Sequence, residues 1–218
     1  MVLQIFFVLL VIGIRAFAAS GCVETERNAL LVVKAGLTDP GNHLSSWEGQ
    51  DCCEWRGVVY SNTTSHVLKL NLRNSYNDVN KRPSPALSGK ISPSLLLLNH
   101  LKHLDLSSNN FNGIRIPTYF ACFGGTVPPQ LGNLSNLHYL DINSIGCEAY
   151  NIAVDNFAWV AHLSSLHYLD MSFVNMSIAT DWFQAINKLP SLTYLDITYT
   201  NPSVIPISLP HINITSLR

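Results

Sequence analysis

Charge is scarce in this chain of 218 residues: Asp, Glu, Lys and Arg make up 12%, about half the usual share of a soluble globular protein. The 13 basic and 14 acidic side chains nearly cancel, and a net charge of −1 leaves no electrostatic footprint for nucleic acid. A hydrophobic fraction of 47% beside so little charge excludes intrinsic disorder. Catalytic signatures are missing too. The eight histidines form no H-E-x-x-H, and neither G-x-S-x-G nor a phosphate loop occurs. The five cysteines have no C-x-x-C spacing, so no metal cluster can be assembled from them, and no metal or cofactor is implied. Binding, not catalysis, is the expectation.

Long apolar runs are confined to the start. Met1 to Ile14 is almost uniformly apolar, Arg15 interrupts it, and Ala16-Phe17-Ala18 supplies a small-x-small cleavage pattern. The run is shorter than the ~20 residues a bilayer-spanning helix needs. Residues 1–18 therefore read as a signal peptide, although its basic n-region is missing. The mature chain would begin at Ala19 in the secretory pathway, with no membrane anchor of its own.

Leu 30, Ser 22 and Asn 20 fill a third of the positions, which directs attention to repeats. The pattern L-x-x-L-x-L occurs at Val67-x-x-Leu70-x-Leu72, Leu101-x-x-Leu104-x-Leu106, Leu137-x-x-Leu140-x-Ile142, Leu166-x-x-Leu169-x-Met171 and Leu192-x-x-Leu195-x-Ile197, and begins again at Leu217. Such a repeat reads as one short strand per unit, stacked into a parallel sheet with its leucines turned inward. The fold class is α/β, a leucine-rich-repeat solenoid of five to six units over residues 66–218 with an incomplete C-terminal end. Anchor spacings are 34, 36, 29, 26 and 25 residues. The first excess coincides with a polar, proline-bearing insertion, Tyr76 to Pro85. The second contains two convex-side turns, Phe111–Pro117 and Phe123–Pro128, which reads as a lost strand and predicts irregularity without a strand over Tyr119–Gln130.

Residues 19–65 form a different segment, suited to cover the first leucine layer. Thr25 to Leu37 places Ala29, Leu30, Val33 and Leu37 on one helical face, with Thr25 as N-cap. Trp47 and Trp55 are large enough to seal the end. The cysteines follow no unique pairing: the count is odd, and adjacent Cys52 and Cys53 are poorly placed to bond each other, with vicinal Cα atoms about 3.8 Å apart. Cys122 and Cys147 lie 25 residues apart, about one repeat, and form a candidate bridge.

Cys22…Leu44-Ser-Ser-Trp47…Asp51-Cys-Cys-Glu-Trp-Arg-Gly-Val-Val59 resembles the N-terminal cap of plant extracellular leucine-rich-repeat proteins. Leu104-Asp-Leu-Ser-Ser-Asn109 and Asp181-Trp-Phe-Gln-Ala-Ile-Asn-Lys-Leu-Pro-Ser-Leu192 look like the repeats of receptor-like proteins, kinase-less cell-surface immune receptors. The resemblance implies a Cys22–Cys52 disulfide. It also implies that Cys53 is an orphan, because Tyr60 stands where the family has its partner cysteine. Family members continue through more repeats to a transmembrane helix, so the chain reads as a truncated N-terminal portion whose membrane attachment would come from a missing C-terminal region. The implied function is recognition of a protein or peptide ligand, with a co-receptor kinase as a further partner, in defence or signalling at the cell surface. A secreted inhibitor of a cell-wall-degrading enzyme, similar to polygalacturonase-inhibiting proteins, is the alternative, and a non-functional fragment the third.

Four sequons, Asn62, Asn133, Asn175 and Asn213, are candidate N-glycan acceptors. Asn175 lies beside the asparagine-ladder position that Asn109 fills, and a buried ladder asparagine could not be glycosylated. The outward strand positions form three columns. The first is Lys69, His103, Tyr139, Tyr168 and Tyr194; the second Asn71, Asp105, Asp141, Asp170 and Asp196; the third Arg73, Ser107, Asn143, Ser172 and Thr198. Aromatic groups in a concave row favour contact with a ligand, so Lys69, Arg73, His103, Tyr139, Tyr168 and Tyr194 are the candidate binding residues. The aspartates read as scaffold groups bonding neighbouring backbone.

Overall fold

The computed structural model describes residues 22–74, 85–111, 125–126, 129–144 and 152–202. The signal sequence, most of the Tyr76–Pro85 insertion, Cys122, Cys147, Asn213 and the sixth anchor Leu217 lie outside the described residues.

The chain opens with helix α1 (Glu24–Gly36), strand β1 (Leu37–Thr38) and strand β2 (Val58–Tyr60), followed by β3 (Val67–Asn71) and β4 (Ser88–Gly89). Then come β5 (His103–Asp105), β6 (Gly125–Thr126), β7 (Tyr139–Asp141) and β8 (Ile152–Ala153). Strand β9 (Tyr168–Asp170), the short helix α2 (Trp182–Ile186) and β10 (Tyr194–Asp196) complete the described array.

Ala29, Leu30 and Val33 of α1 are buried, as their spacing predicts, with Glu26 on the same face. Two details differ from the sequence reading. Val23 occupies the N-cap position with no side-chain cap, so Thr25 lies inside the first turn; the acidic Glu24 and Glu26 complement the helix dipole there instead. Leu37 is extended and starts β1, so the apolar helical face ends at Val33.

Trp47 and Trp55 stack at 5.4 Å and are almost wholly buried. Each indole N–H is satisfied by a backbone carbonyl, Trp47 by Arg56 and Trp55 by Glu48. Cys22 and Cys52 are bonded, tying the start of the cap to the turn after Asp51. Gly57 has φ +85°, and a Cβ there would meet the Asn71 carbonyl oxygen at 2.2 Å, so the turn into β2 needs glycine.

The main sheet has the order β10-β9-β7-β5-β3-β2. Its five repeat strands run parallel, and only β2, from the cap, joins antiparallel. Leu70, Leu104, Leu140 and Leu169 align in one register and are fully buried, while Leu195 on the last described strand is half-buried against the same core. Each buried leucine contributes about 1.5–3 kcal/mol over exposure. The return segments stack in turn on the far side: α1, the 3-10 turns Pro93–Leu97, Pro129–Asn133 and Val160–His162, and then α2.

β5 pairs directly with β7, so the 36-residue interval between their anchors adds no strand to the main sheet. The expectation of a wholly strandless stretch needs one correction. Gly125–Thr126 forms β6, pairing in parallel with β8 in a small lateral sheet. Backbone that cannot join the main ladder finds its partners there. Asn109 fills the ladder position: its amide reaches the carbonyls of Leu72, Leu106 and Ser107, and its oxygen accepts the Leu87 N–H.

Candidate recognition surface

The parallel register sets Lys69, His103, Tyr139, Tyr168 and Tyr194 side by side across the sheet. From His103 onward the rings form an unbroken stack. Centroids are 4.0 Å apart for His103–Tyr139 and 4.2 Å for both Tyr139–Tyr168 and Tyr168–Tyr194, with interplanar angles of 10°, 11° and 1°. Strand spacing near 4.8 Å permits this: every repeat places the same ring one strand further along. The π-faces are therefore spent on one another, which leaves ring edges and hydroxyls for contact, and the Tyr139 hydroxyl already donates to Asp141 Oδ2 at 3.3 Å. Burial and the neighbouring Asp141 and Asp105 push the Tyr139 phenol up to about 12, and burial drives Tyr168 upward too, so both hydroxyls keep their protons. Burial, then Lys69, pulls the His103 imidazole below its ordinary value, leaving it neutral. Its Nε2 is buried with no hydrogen-bond partner among the described residues.

The second and third columns differ from the outward surface that alternation suggests. Asp105, Asp141 and Asp170 are buried, and so are Ser107, Asn143 and Ser172. Each aspartate Oδ1 accepts two hydrogen bonds from the residue two positions on, one from its backbone N–H and one from its side chain: Ser107, Asn143, Ser172 and, on the last strand, Thr198. These local bonds fold the two columns into a scaffold that ends each strand. Burial, with Asp105 and Asp170 on either side, raises the Asp141 carboxyl from 3.8 to about 6. Arg73 and Thr198, at the two ends of the third column, are exposed, and the Arg73 guanidinium lies 4.0 Å from Asp141.

Of the sequons, Asn62 and Asn133 are exposed, whereas Asn175 is half-buried and its oxygen accepts the Ser177 N–H. Val174, not Asn175, points into the core at the ladder position. Cys53 is a free thiol whose side chain hydrogen-bonds with Tyr60; burial, with Asp51 beside it, raises it to about 11.

One cluster escaped the sequence. Glu26, His66 and His100 converge at the junction of cap and array, 40 and 34 residues apart in the chain. No spacing rule links them; only the cap's packing on the first repeats does.

Residues 23–59 match the leucine rich repeat N-terminal domain. With the parallel array behind that cap, the fold is a leucine-rich-repeat solenoid with an N-terminal cap. It is 35% identical over 177 residues to the receptor-like protein EIX1 of Solanum lycopersicum, covering 72% of this chain and 17% of that protein. With EIX2 of the same plant it shares 38% identity over 125 residues, covering 56% and 11%. The fold superposes on the ectodomain of BIR2 from Arabidopsis thaliana with a TM-score of 0.57 and 25% identity, covering 79% of this chain and 78% of the other. In sequence the chain is similar to plant leucine-rich-repeat receptor-like proteins, and it spans under a fifth of the length of these tomato relatives. Among the described residues, no helix is long and apolar enough to cross a membrane.

Proposed function

We propose that the chain is an N-terminal, ligand-recognising region of a cell-surface receptor-like protein and that it binds a protein or peptide along the concave sheet, in defence or signalling. The ring stack from His103 to Tyr194 carries this reading, because it offers a rigid row whose ordering is already complete before a partner arrives. Lys69 and Arg73 supply cationic contacts at the cap end, and a co-receptor kinase would engage the same array. Entry to the secretory pathway through residues 1–18, with glycans at Asn62 and Asn133, belongs to the same proposal.

A photo-crosslinking residue at position 168, on the ladder, and another at Gln184, exposed on α2, test it in extracellular fluid. Capture of one protein or peptide from position 168 and none from position 184 is the expected result. Equal capture from both positions, or inhibition of a cell-wall hydrolase with no capture at 168, contradicts it.

A further inference from the structure

Glu26 lies on the buried face of α1, only 3% exposed. His66 immediately precedes β3, and His100 precedes β5. The Glu26 Oε2 atom accepts the Val67 N–H at 2.7 Å, which fixes the carboxylate in the cap–array junction. Its Oε1 atom lies 2.9 Å from His66 Nδ1 and 3.8 Å from His100 Nδ1. One donor atom from each residue falls within 4.8 Å of the others, and no second such group converges among the described residues.

We propose that Glu26, His66 and His100 bind a divalent transition-metal ion of the zinc class, which pins the cap helix to the first two repeat strands. Two imidazole nitrogens and one carboxylate oxygen are ligands this class prefers. Bonds of about 2.0–2.2 Å in tetrahedral geometry put such donors about 3.3–3.5 Å apart. The separations of 2.9 and 3.8 Å bracket that value, so the ion fits with small side-chain shifts. The imidazoles stack at 3.6 Å with planes 19° apart, so one ring must turn for both lone pairs to meet. His100 is the ring that turns: its side chain is 51% exposed and lies outside the core. The bond from Val67 is an outer contact that orients a ligating carboxylate. Calcium and magnesium, which require several oxygen ligands, do not suit this donor set. The exposed His138–His167 pair, 5.2 Å apart and tilted, serves as the internal control.

Calorimetric titration of the whole chain with zinc chloride tests the site, alongside His100→Ala and His138→Ala. His100→Ala removes a ligand without touching the buried Glu26–Val67 contact, so the variant is expected to fold. Wild type and His138→Ala should bind one zinc per chain and gain thermal stability from it. His100→Ala should bind at least about tenfold more weakly and lose that gain. Absence of zinc binding by the wild type, binding left intact in His100→Ala, or an equal loss in His138→Ala overturns the proposal.

Discussion

Asp141→Asn should stabilise the protein at neutral pH and do little at acidic pH. Asp141 is 1% exposed, between Asp105 and Asp170, and its pKa is raised from 3.8 to about 6. A carboxyl group with a raised folded pKa binds its proton more tightly in the native state than in the unfolded chain. Its contribution therefore grows more unfavourable as pH rises from about 4 to 6, then stays level. The shift of about two units corresponds to roughly 3 kcal/mol of destabilisation above pH 6. Asparagine keeps an oxygen that can accept from the Asn143 N–H, 3.1 Å away in the wild type, and removes the charge. An amide nitrogen at the Oδ2 position cannot accept from the Tyr139 hydroxyl, which that oxygen does at 3.3 Å, and this loss returns about 1 kcal/mol. The exposed Arg73 at 4.0 Å offsets little. A net gain of about 2 kcal/mol at pH 7.5 is expected, shrinking to zero or slightly below at pH 4. Urea denaturation of both proteins across that range measures it. Parallel stability curves, or a variant less stable at pH 7.5, would mean that the Asp141 charge does not destabilise the fold.

Asn109→Ala should cost about 3 kcal/mol in the same urea assay, because it strips the buried Leu87 N–H and the Leu72 and Leu106 carbonyls of this partner; a loss under 1 kcal/mol would mean that the ladder is not structural. Gly57→Ala combines φ +85° with a clash against the Asn71 carbonyl, and the unfolding free energy should fall by about 3 kcal/mol or the cap should fail to fold. Tyr60→Cys should form a disulfide with Cys53, whose side chain already meets that of Tyr60; mass spectrometry should find both thiols lost, and two alkylatable cysteines would contradict it.

The strand register was legible because L-x-x-L-x-L ties each inward leucine to a fixed strand position, and Leu70, Leu104, Leu140 and Leu169 align as that rule requires. The aromatic column was legible for the same reason. What alternation could not foresee was the burial of Asp105, Asp141 and Asp170 with Ser107, Asn143 and Ser172, since pairing at i and i+2 arises only once the chain turns after each strand. Nor does a column of tyrosines reveal that its ring faces close on each other. The Glu26–His66–His100 cluster depends on the docking of α1 against the first repeats, which leaves no local signature. Thr25 misled because its position before the apolar face fits a cap, whereas the chain enters the helix at Val23.

On the proposed reading a partner docks along the edge of the aromatic row, and the triple substitution Tyr139→Phe, Tyr168→Phe and Tyr194→Phe probes that edge. The rings and their stacking are retained while the hydroxyls are lost, that of Tyr139 together with its bond to the Asp141 carboxylate. Affinity for the partner captured at position 168, measured by surface plasmon resonance, should fall at least about tenfold while circular dichroism in the far ultraviolet shows the wild-type fold. An affinity equal to that of the wild type would contradict the account.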